Sequence, residues 1–405
     1  MKTKAKQKPK KKWNFHLRFP DIKGKTWENN AWLFAMHVVL ITLLAWGLSR
    51  FLLNDLSGIS AFSPVEKVAD YSMSDMYNAV ANRRAVRQLN NDIVIVATDG
   101  CSRADIAQLV REIDVHKPAA IGLDIFFPYQ TSDDSLLLSS FSACDKLILP
   151  MQIVDSAYMT NNYSFFDGYI DAPYGCVNLE LADIRSTVRS FRPYYAISGE
   201  TIPNFAVALI QQAKPEVIPH LTARGHETEI IFFPSVEFDC ISGRDVLNDE
   251  EDLLDAVGQK IVLLGDMKNM SDSYLTPLDA AVPGVLIHAY TAYTILSNRF
   301  ISVSAEWLNW LIAILICIIY TIVNVYAKKL YSNMGNFLMR LLQFVTMYIL
   351  FVIGCLEFAY HGSYIDFTPS ILMIGLGALA FDLWYGIYAC YLKIKEWLNK
   401  IPQKK

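Results

Sequence analysis

The chain has 405 residues, which is enough for one large domain or two ordinary ones. Hydrophobic residues make up 53% of it and the mean hydropathy is +0.25, which excludes a typical soluble composition. The net charge of −4 hides a segregation, because seven lysines fall within the first twelve residues whereas 54–305 holds about 33 acidic and about 17 basic residues. Such an acidic region repels phosphates, which argues against nucleic-acid binding.

Four apolar segments are long enough to cross a hydrocarbon core of roughly 30 Å as helices. They cover 31–53, 306–327, 341–360 and 367–391, and Trp and Tyr crowd their ends as interface anchors do. A cleaved signal peptide is the alternative for the first segment. Its apolar run exceeds the usual length of roughly 7–15 residues and no A-x-A site follows, so the sequence favours an uncleaved anchor.

Lysine and arginine flank these segments unevenly. Ten precede the first segment, others lie between the second and third and after the fourth, and the turn 361–366 has none. The positive-inside rule therefore predicts a multi-pass protein of the cell inner (plasma) membrane, with both termini cytoplasmic and 54–305 extracytoplasmic. The predicted organisation begins with a basic cytoplasmic tail (1–29), a first span (30–53) and an extracytoplasmic domain (54–305). It continues with a second span (306–327), a cytoplasmic loop (328–340), a third span (341–360), an outer turn (361–366), a fourth span (367–391) and a cytoplasmic tail (392–405).

The seven cysteines divide between the two environments. Three lie in predicted spans and are interpreted as small packing residues, namely Cys317, Cys355 and Cys390. Four lie in the extracytoplasmic region, where disulfides can persist, namely Cys101, Cys144, Cys176 and Cys240. Four cysteines permit three pairings, and the sequence does not choose among them.

The extracytoplasmic region alternates strand and helix patterns. Buried strands are predicted at 92–100, 119–128 and 145–152, with apolar residues at helical spacing over 103–118. Further strands are predicted at 228–234 and 260–265, with an acidic helix near 244–256. The alternation predicts an α/β extracytoplasmic domain with a largely parallel sheet, to which four transmembrane α-helices are added, one before the domain and three after it.

Three of these predicted strands end in aspartate, at Asp99, Asp124 and Asp266. Ligands bind beyond the carboxyl ends of parallel strands, so Asp99 and Asp266 could meet there with Asp272 and Ser102 in a polar or cation-binding cleft. Asp124 lies inside its apolar run and is expected to be buried, with the cap of a neighbouring helix as one role. The alternative is that each carboxylate caps a helix or binds turn amides, as Asp commonly does.

Catalytic motifs are missing from the sequence. There is no H-x-x-x-H, H-E-x-x-H, G-x-S-x-G or Walker A pattern, so no catalytic residue, metal or cofactor is assigned. His288 lies in an apolar helical pattern, where packing is the more common role of a histidine. The candidate ligand-binding residues are therefore Asp99, Ser102, Asp124, Asp266, Asp272 and His288.

From about 60 to 300 the chain resembles the CHASE family of extracellular sensory domains, second type. The resemblance rests on "IVIVATDGCS", "PAAIGLDIFF", "EIIFFPSVEFDCISGRDVL", "GQKIVLLG" and "SDSYLTPLDAAVPGVLIHAYTAYTIL", and on the order of one span before and three after. Two features depart from the family pattern. The usual Trp-Pro stretch after the first strand is missing, and Tyr290 stands where Asn is frequent.

The resemblance implies a membrane sensor that binds an unknown small ligand or extracytoplasmic partner. Relatives usually continue into a cytoplasmic output domain, and this sequence continues only about 14 residues past the fourth span, so we expect a separate output protein. The alternatives are an extracytoplasmic enzyme using the aspartate-lined cleft, a non-sensing scaffold, and a transport subunit using Asp382 inside the fourth span. Whether the chain forms a homo-oligomer is left open.

Overall fold

The computed structural model describes residues 31–55, 72–84, 88–153, 164, 169–181, 187–197, 199–248, 252–279 and 281–400. The chain divides into two compact units. One comprises Met1–Ala69, Ala305–Ile353 and Asp366–Lys405, and the other comprises Asp70–Ser304 and Gly354–Ile365. We call the first the membrane unit and the second the outer unit, and each is described by itself.

The α-helices of the described residues are given in chain order. They are α1 Ala31–Arg50, α2 Met73–Arg84, α3 Arg103–Val115, α4 Asp134–Ser142, α5 Phe205–Ala213, α6 Ile218–Arg224, α7 Gly243–Leu247, α8 Leu253–Val257, α9 Gly284–Leu296, α10 Glu306–Leu356 and α11 Thr368–Lys400. Short π-helical turns at Phe51–Asp55 and Glu357–His361 extend α1 and α10, and 3-10 turns cover Pro215–Val217 and Met270–Asp272.

The strands of the described residues follow in the same way. They are β1 Gln88–Ala97, β2 Ala120–Leu123, β3 Leu147–Met151, β4 Tyr174–Cys176, β5 Ser190–Phe191, β6 Tyr194–Ile197, β7 Glu200–Pro203, β8 Glu229–Ile230, β9 Val236–Ser242, β10 Ile261–Gly265, β11 Ser273–Tyr274, β12 Val282–Pro283, β13 Ser302–Val303 and β14 Ser363–Tyr364.

A six-stranded parallel sheet forms the centre of the outer unit, in the order β4-β3-β2-β10-β1-β9. Its central strands are runs of Val, Ile and Leu that are buried on both faces, as parallel sheets require. On β10, Ile261 and Leu263 face one hydrophobic cluster and Val262 and Leu264 face the other, because successive side chains point to opposite faces. The sheet confirms the predicted α/β class.

Helices cover both faces of this sheet. Apolar residues of α5 and α9 belong to one hydrophobic cluster, and those of α3 and α4 belong to the other. In α3 the buried positions Ile106, Leu109, Val110 and Ile113 follow helical spacing, as predicted. Each such fully buried aliphatic side chain stabilises the fold by roughly 1.5–3 kcal/mol.

The residues Gly354–Ile365, far along the chain, belong to the outer unit. There β14 pairs in parallel with β13, and the ring of Tyr77 on α2 packs against Phe358 and Tyr364. The Tyr77 hydroxyl donates to the carbonyl oxygen of Ile365 at 3.4 Å. These contacts join α2 to a segment that the sequence analysis assigned to the third span and the turn after it.

Four helical segments of the described residues are long and apolar enough to cross a membrane. With the π-helical turns included, the four candidate spans are Trp32–Leu53, Glu306–Ala327, Phe337–His361 and Thr368–Lys395. One comes before the outer domain and three follow it, as predicted. In α1 and α11 the Trp384 Nε1 donates to His37 Nδ1 at 2.6 Å, and the buried residues Ile41, Ala45 and Ala380 pack in the same cluster.

Helix α10 carries the second and third candidate spans. The Tyr320 hydroxyl lies 3.4 Å from Oε1 of Gln343, although 23 residues of straight helix would separate them by about 34 Å. The helix therefore bends back on itself between these residues. The range 328–340, predicted as a loop, is assigned as helical throughout.

Several elements differ from the sequence-based expectation. The predicted strand 228–234 is reduced to the two residues of β8, and Pro234 separates it from β9, which forms the edge of the central sheet. The predicted strand 119–128 ends at Leu123, before Asp124. The predicted connection 54–90 falls largely outside the described residues. The four cysteines that are predicted to be extracytoplasmic all have free thiols.

Candidate functional site

The three strand-end aspartates lie at one edge of the central sheet. Strands β2, β10 and β1 are neighbours and parallel, and Asp124, Asp266 and Asp99 follow their carboxyl ends. The edge forms because each buried apolar run stops at a polar residue that cannot be accommodated inside the sheet. In this respect the strand ends are arranged as the sequence analysis expected.

Asp99 and Asp266 share a side-chain hydrogen bond. Partial burial, followed by the bond to Asp266 and its charge, raises the pKa of Asp99, whereas the bond from Asp99 lowers the pKa of Asp266. Of the two carboxyl groups, Asp99 therefore binds a proton more readily than Asp266 does.

Backbone amides of the following loop bind the same two carboxyl groups. The amide of Lys268 donates to Asp99 at 2.8 Å and to Asp266 at 2.9 Å, and the amide of Asn269 donates to Asp266 at 3.1 Å. This is the bonding that the turn interpretation predicts for aspartate. The pair therefore fixes the path of the loop 266–269 as it leaves β10.

Asp272 lies at the amino terminus of α9. A Cβ added at Gly284, the first residue of that helix, would come within 2.9 Å of Oδ2 of Asp272, so a side chain at this position would displace the carboxylate. Burial raises the pKa of Asp272, and a hydrogen bond from the Tyr274 side chain opposes that rise. Strands β11 and β12 pair in an antiparallel register that brings Ser273 opposite Pro283 and thereby holds the two segments together.

Asp124 and His288 form the buried part of the cluster. Nε2 of His288 lies 4.0 Å from Oδ2 of Asp124, and the two side chains are 3% and 11% exposed, respectively. Burial raises the pKa of Asp124 to about 7 and lowers that of His288 to about 4. The His288 ring also packs edge-on against Phe205. Near neutral pH the pair therefore has a carboxyl group close to half-titration beside a neutral imidazole.

Comparison with protein families finds a match to the CHASE2 domain over residues 56–323. The chain belongs to the CHASE2 family. The match covers more than half of the chain and runs from before α2 into the second candidate span. The resemblance stated from the sequence is thus confirmed. Comparisons with curated proteins and with solved structures give no match.

The CHASE2 assignment makes this chain a membrane sensory protein, because a sensory domain family is combined with four candidate spans. Within the described residues, no group of three or more His, Cys, Asp and Glu side chains has a geometry that could hold a metal ion. The carboxylates at the sheet edge of this CHASE2 domain are bonded to loop amides, to one another and to Tyr274 instead.

Ser102 has a role that the sequence analysis did not assign. Its hydroxyl accepts a hydrogen bond from the Asp105 amide at 3.2 Å, and Asp105 accepts one from the Ser102 amide at 2.7 Å. This is a capping box at the start of α3. The spacing of Ser102 and Asp105 resembles the S-x-x-E signal and could have indicated it.

Two further residues of the cluster were missed. Tyr274 bonds Asp272, and Gly265 lets α9 approach β10 so closely that a Cβ there would lie 2.8 Å from Val285. Close approach of a helix to a strand is a recognised use of glycine, but a single glycine at a strand end does not reveal which element approaches it. The ligand-binding assignment of the six candidate residues stays a prediction.

Proposed function

We propose that this protein senses an extracytoplasmic stimulus and relays it across the membrane to a separate output protein. The observation that carries the proposal is the position of α9. Its first turn lies against Asp272, its middle carries His288, and it leads through 297–305 to the second candidate span. One helix therefore connects the aspartate cluster to the chain segment that enters the membrane.

A ligand acts on such a system only through unequal affinity for two arrangements of the outer domain. Helix α9 is suited to respond, because its apolar residues pack in the core on one face of the central sheet, while Gly284 in its first turn contacts Asp272 and Thr294 near its end accepts a hydrogen bond from the Phe232 amide. A shift of the loop 266–274 would change the contact of Asp272 with Gly284. We propose that this change reaches the second span through the 297–305 segment.

The proposed orientation has both termini in the cytoplasm and 54–305 outside the plasma membrane, which we take to be the inner membrane of a bacterium. It is supported by the lysine-rich start of the chain and by the absence of Lys and Arg from 361–366. Lys328, Lys329 and Arg340, in the bent region of α10, lie on the cytoplasmic side in this arrangement.

The proposed contact with the output protein is the cytoplasmic end of α11. This helix continues to Lys400, beyond the candidate span that ends at Lys395. Trp397 lies in this extension and is 64% exposed. Ile394, which is 58% exposed, lies at the end of the span between the basic residues Lys393 and Lys395. Exposed large apolar side chains with flanking charge are typical of protein contact surfaces.

The test is purification of the tagged full chain from its native membrane in mild detergent, followed by identification of stoichiometric partners. We expect a partner that is lost from the double variant Ile394→Ser/Trp397→Ala and retained by Leu89→Ser, which changes an exposed apolar residue of β1. A chain that purifies alone, or a partner that both variants retain equally, would contradict the proposed contact.

A further inference from the structure

A cavity of about 530 Å³ lies in the outer unit, away from the aspartate cluster. Its wall includes Asn82 and Arg83 of α2, Ser235 and Glu237 at the start of β9, Leu278, and Tyr290 of α9. The volume falls in the range of roughly 300–1,000 Å³ that is typical of small-molecule sites.

The cavity and the aspartates lie at opposite ends of the strands. Glu237 is the second residue of β9, whereas Asp99, Asp124 and Asp266 follow the last residues of their strands. In a parallel sheet all amino ends share one edge, so the cavity belongs to the amino edge beside β9. It is therefore a second site, independent of the strand-end carboxylates.

Two opposite charges line the cavity without neutralising one another. Across the part of the chain that the structure describes, neither Arg83 nor Glu237 has an ion-pair or hydrogen-bond partner in its side chain. Both side chains are exposed. An arginine fork binds a carboxylate through two parallel hydrogen bonds, and a glutamate accepts from an ammonium group.

The remaining polar groups hold the wall in place. The Asn82 Nδ2 donates to the carbonyl oxygen of Phe233 at 2.8 Å, and the Tyr290 hydroxyl donates to that of Val236 at 3.3 Å. The Tyr290 ring packs against Phe233 and Phe238, which fixes its position. The wall thus has an apolar part, formed by Tyr290 and Leu278, and two charged side chains, Arg83 and Glu237, that are available to a ligand.

We propose that this cavity binds a small zwitterion of the amino acid and dipeptide class. Arg83 binds its carboxylate, Glu237 binds its ammonium group, and an apolar side chain lies against Tyr290. Ligand pockets are typically apolar with a few convergent polar groups, and these polar groups fix the orientation of the bound ligand. The proposal deepens the proposed function and rests on it only for the consequence of binding.

That consequence follows from the elements that the ligand joins. Helix α2 comes after the first span in the chain, and α9 comes before the second. A ligand held between Arg83 and the wall containing Tyr290 favours the arrangement in which α2 and α9 are close. It therefore selects one state of the outer domain.

The test uses the full chain in lipid nanodiscs, with the twenty amino acids and a set of apolar dipeptides as probes. Binding is measured by calorimetry and by the shift in thermal unfolding. We expect saturable binding of at least one probe. Arg83→Gln and Glu237→Gln should each weaken it by about tenfold to a hundredfold, the usual effect of removing one charged hydrogen-bond partner.

The matched controls are Arg111→Gln and Glu112→Gln, which remove an exposed charge of each sign from α3. They should leave binding unchanged. A probe that lacks the amino group should bind the wild type more weakly than the matching probe that has it. Its affinity should be the same for the wild type and for Glu237→Gln. Absence of binding by every probe, or equal binding by all four variants, overturns the proposal.

This experiment is separate from the search for an output protein. If binding depends on Arg83 and Glu237 but the chain purifies alone, the proposed ligand site is supported and the proposed relay to an output protein is contradicted. If a stoichiometric partner is lost from the α11 variant but the chain binds no probe, the proposed relay is supported and the proposed ligand site is contradicted.

Discussion

The carboxylate of Asp272 packs directly against the backbone of Gly284, at the point where helix α9 begins. A negative charge near a helix amino terminus interacts favourably with the helix dipole, by about 0.3–1 kcal/mol at exposed sites. Here it also brings the loop after β10 into contact with the helix that leads to the second candidate span.

Replacement of Gly284 by alanine should destabilise the outer unit. The new Cβ would lie 2.9 Å from Oδ2 of Asp272, so the carboxylate must move. We expect a loss of about 1–3 kcal/mol from overpacking, in spite of the higher helix propensity of alanine. Thermal unfolding of the full chain in detergent measures it.

Two comparisons make this prediction specific. Gly47→Ala changes a helical glycine with nothing within 4 Å of the new Cβ and should not destabilise. The double variant Asp272→Ala/Gly284→Ala should be no less stable than Asp272→Ala, because the clash has been removed. A further loss in the double variant would show that the contact with Asp272 is not the cause.

The buried pair Asp124 and His288 should have opposing effects on the pH dependence of stability. The pKa of Asp124 is raised to about 7, so its contribution is present below pH 4 and is lost as the pH rises through 7. The pKa of His288 is lowered to about 4, so its contribution is present above pH 6.5 and is lost as the pH falls through 4. Each contribution is on the order of 3–4 kcal/mol.

Variants should separate the two contributions. As the pH falls from 6.5 to 4, Asp124→Asn should lose stability relative to the wild type, because the contribution of His288 is lost and the opposing contribution of Asp124 is no longer present. His288→Gln should lose stability as the pH rises from 4 to 7. Melting temperatures between pH 4 and 8 test both, with His220→Gln, which changes an exposed histidine, as the control. Parallel curves for all three variants would contradict the assignment.

The bond between Asp99 and Asp266 predicts different tolerance for two substitutions of Asp99. Asn keeps a donor toward Asp266 and an acceptor for the Lys268 amide, so Asp99→Asn should change stability by no more than about 0.5 kcal/mol. Asp99→Leu removes the acceptor of the Met267 amide and one of the two acceptors of the Lys268 amide, and should cost about 1–3 kcal/mol. Hydrogen exchange at the Met267 amide should accelerate only in the leucine variant; equal exchange in both would contradict the assigned bond.

The proposed orientation predicts opposite labelling of two introduced cysteines. Tyr129, in the outer unit, is 77% exposed, and Met334, in the bent region of α10, is 64% exposed. In a variant without native cysteines, a membrane-impermeant maleimide should label Tyr129→Cys in intact cells and Met334→Cys only after lysis. The reverse pattern would invert the topology.

The sequence was sufficient for the centre of the fold because buried parallel strands are continuous apolar runs. Strands β1 and β10 were predicted from "IVIVA" and "IVLLG", and the adjacency of Asp99 and Asp266 follows from strand ends that share one edge. The sequence does not predict the edge strand β9, because "VEFDCIS" mixes polar and apolar residues. The strand is predicted instead at the more apolar "EIIFF" before Pro234.

Other features depend on contacts that no local pattern contains. The approach of Asp272 to Gly284 requires the antiparallel pairing of β11 and β12, two strands of two residues each. The cavity is formed by α2, β9 and α9, which are far apart in the chain. Arg83 and Glu237 appear in the sequence as ordinary surface charges, and only the folded backbone brings them to one wall.

The contacts of Tyr77 have a consequence for biosynthesis. Its hydroxyl bonds the carbonyl oxygen of Ile365, 288 residues later, and its ring packs against Phe358 and Tyr364. At translation rates of about 5–20 residues per second, this side chain waits roughly 15–60 s for its partners to emerge. The outer domain therefore cannot complete its packing until the ribosome has passed the third span, and an excised segment that ends at Ser304 would expose an aromatic surface at which chains could associate.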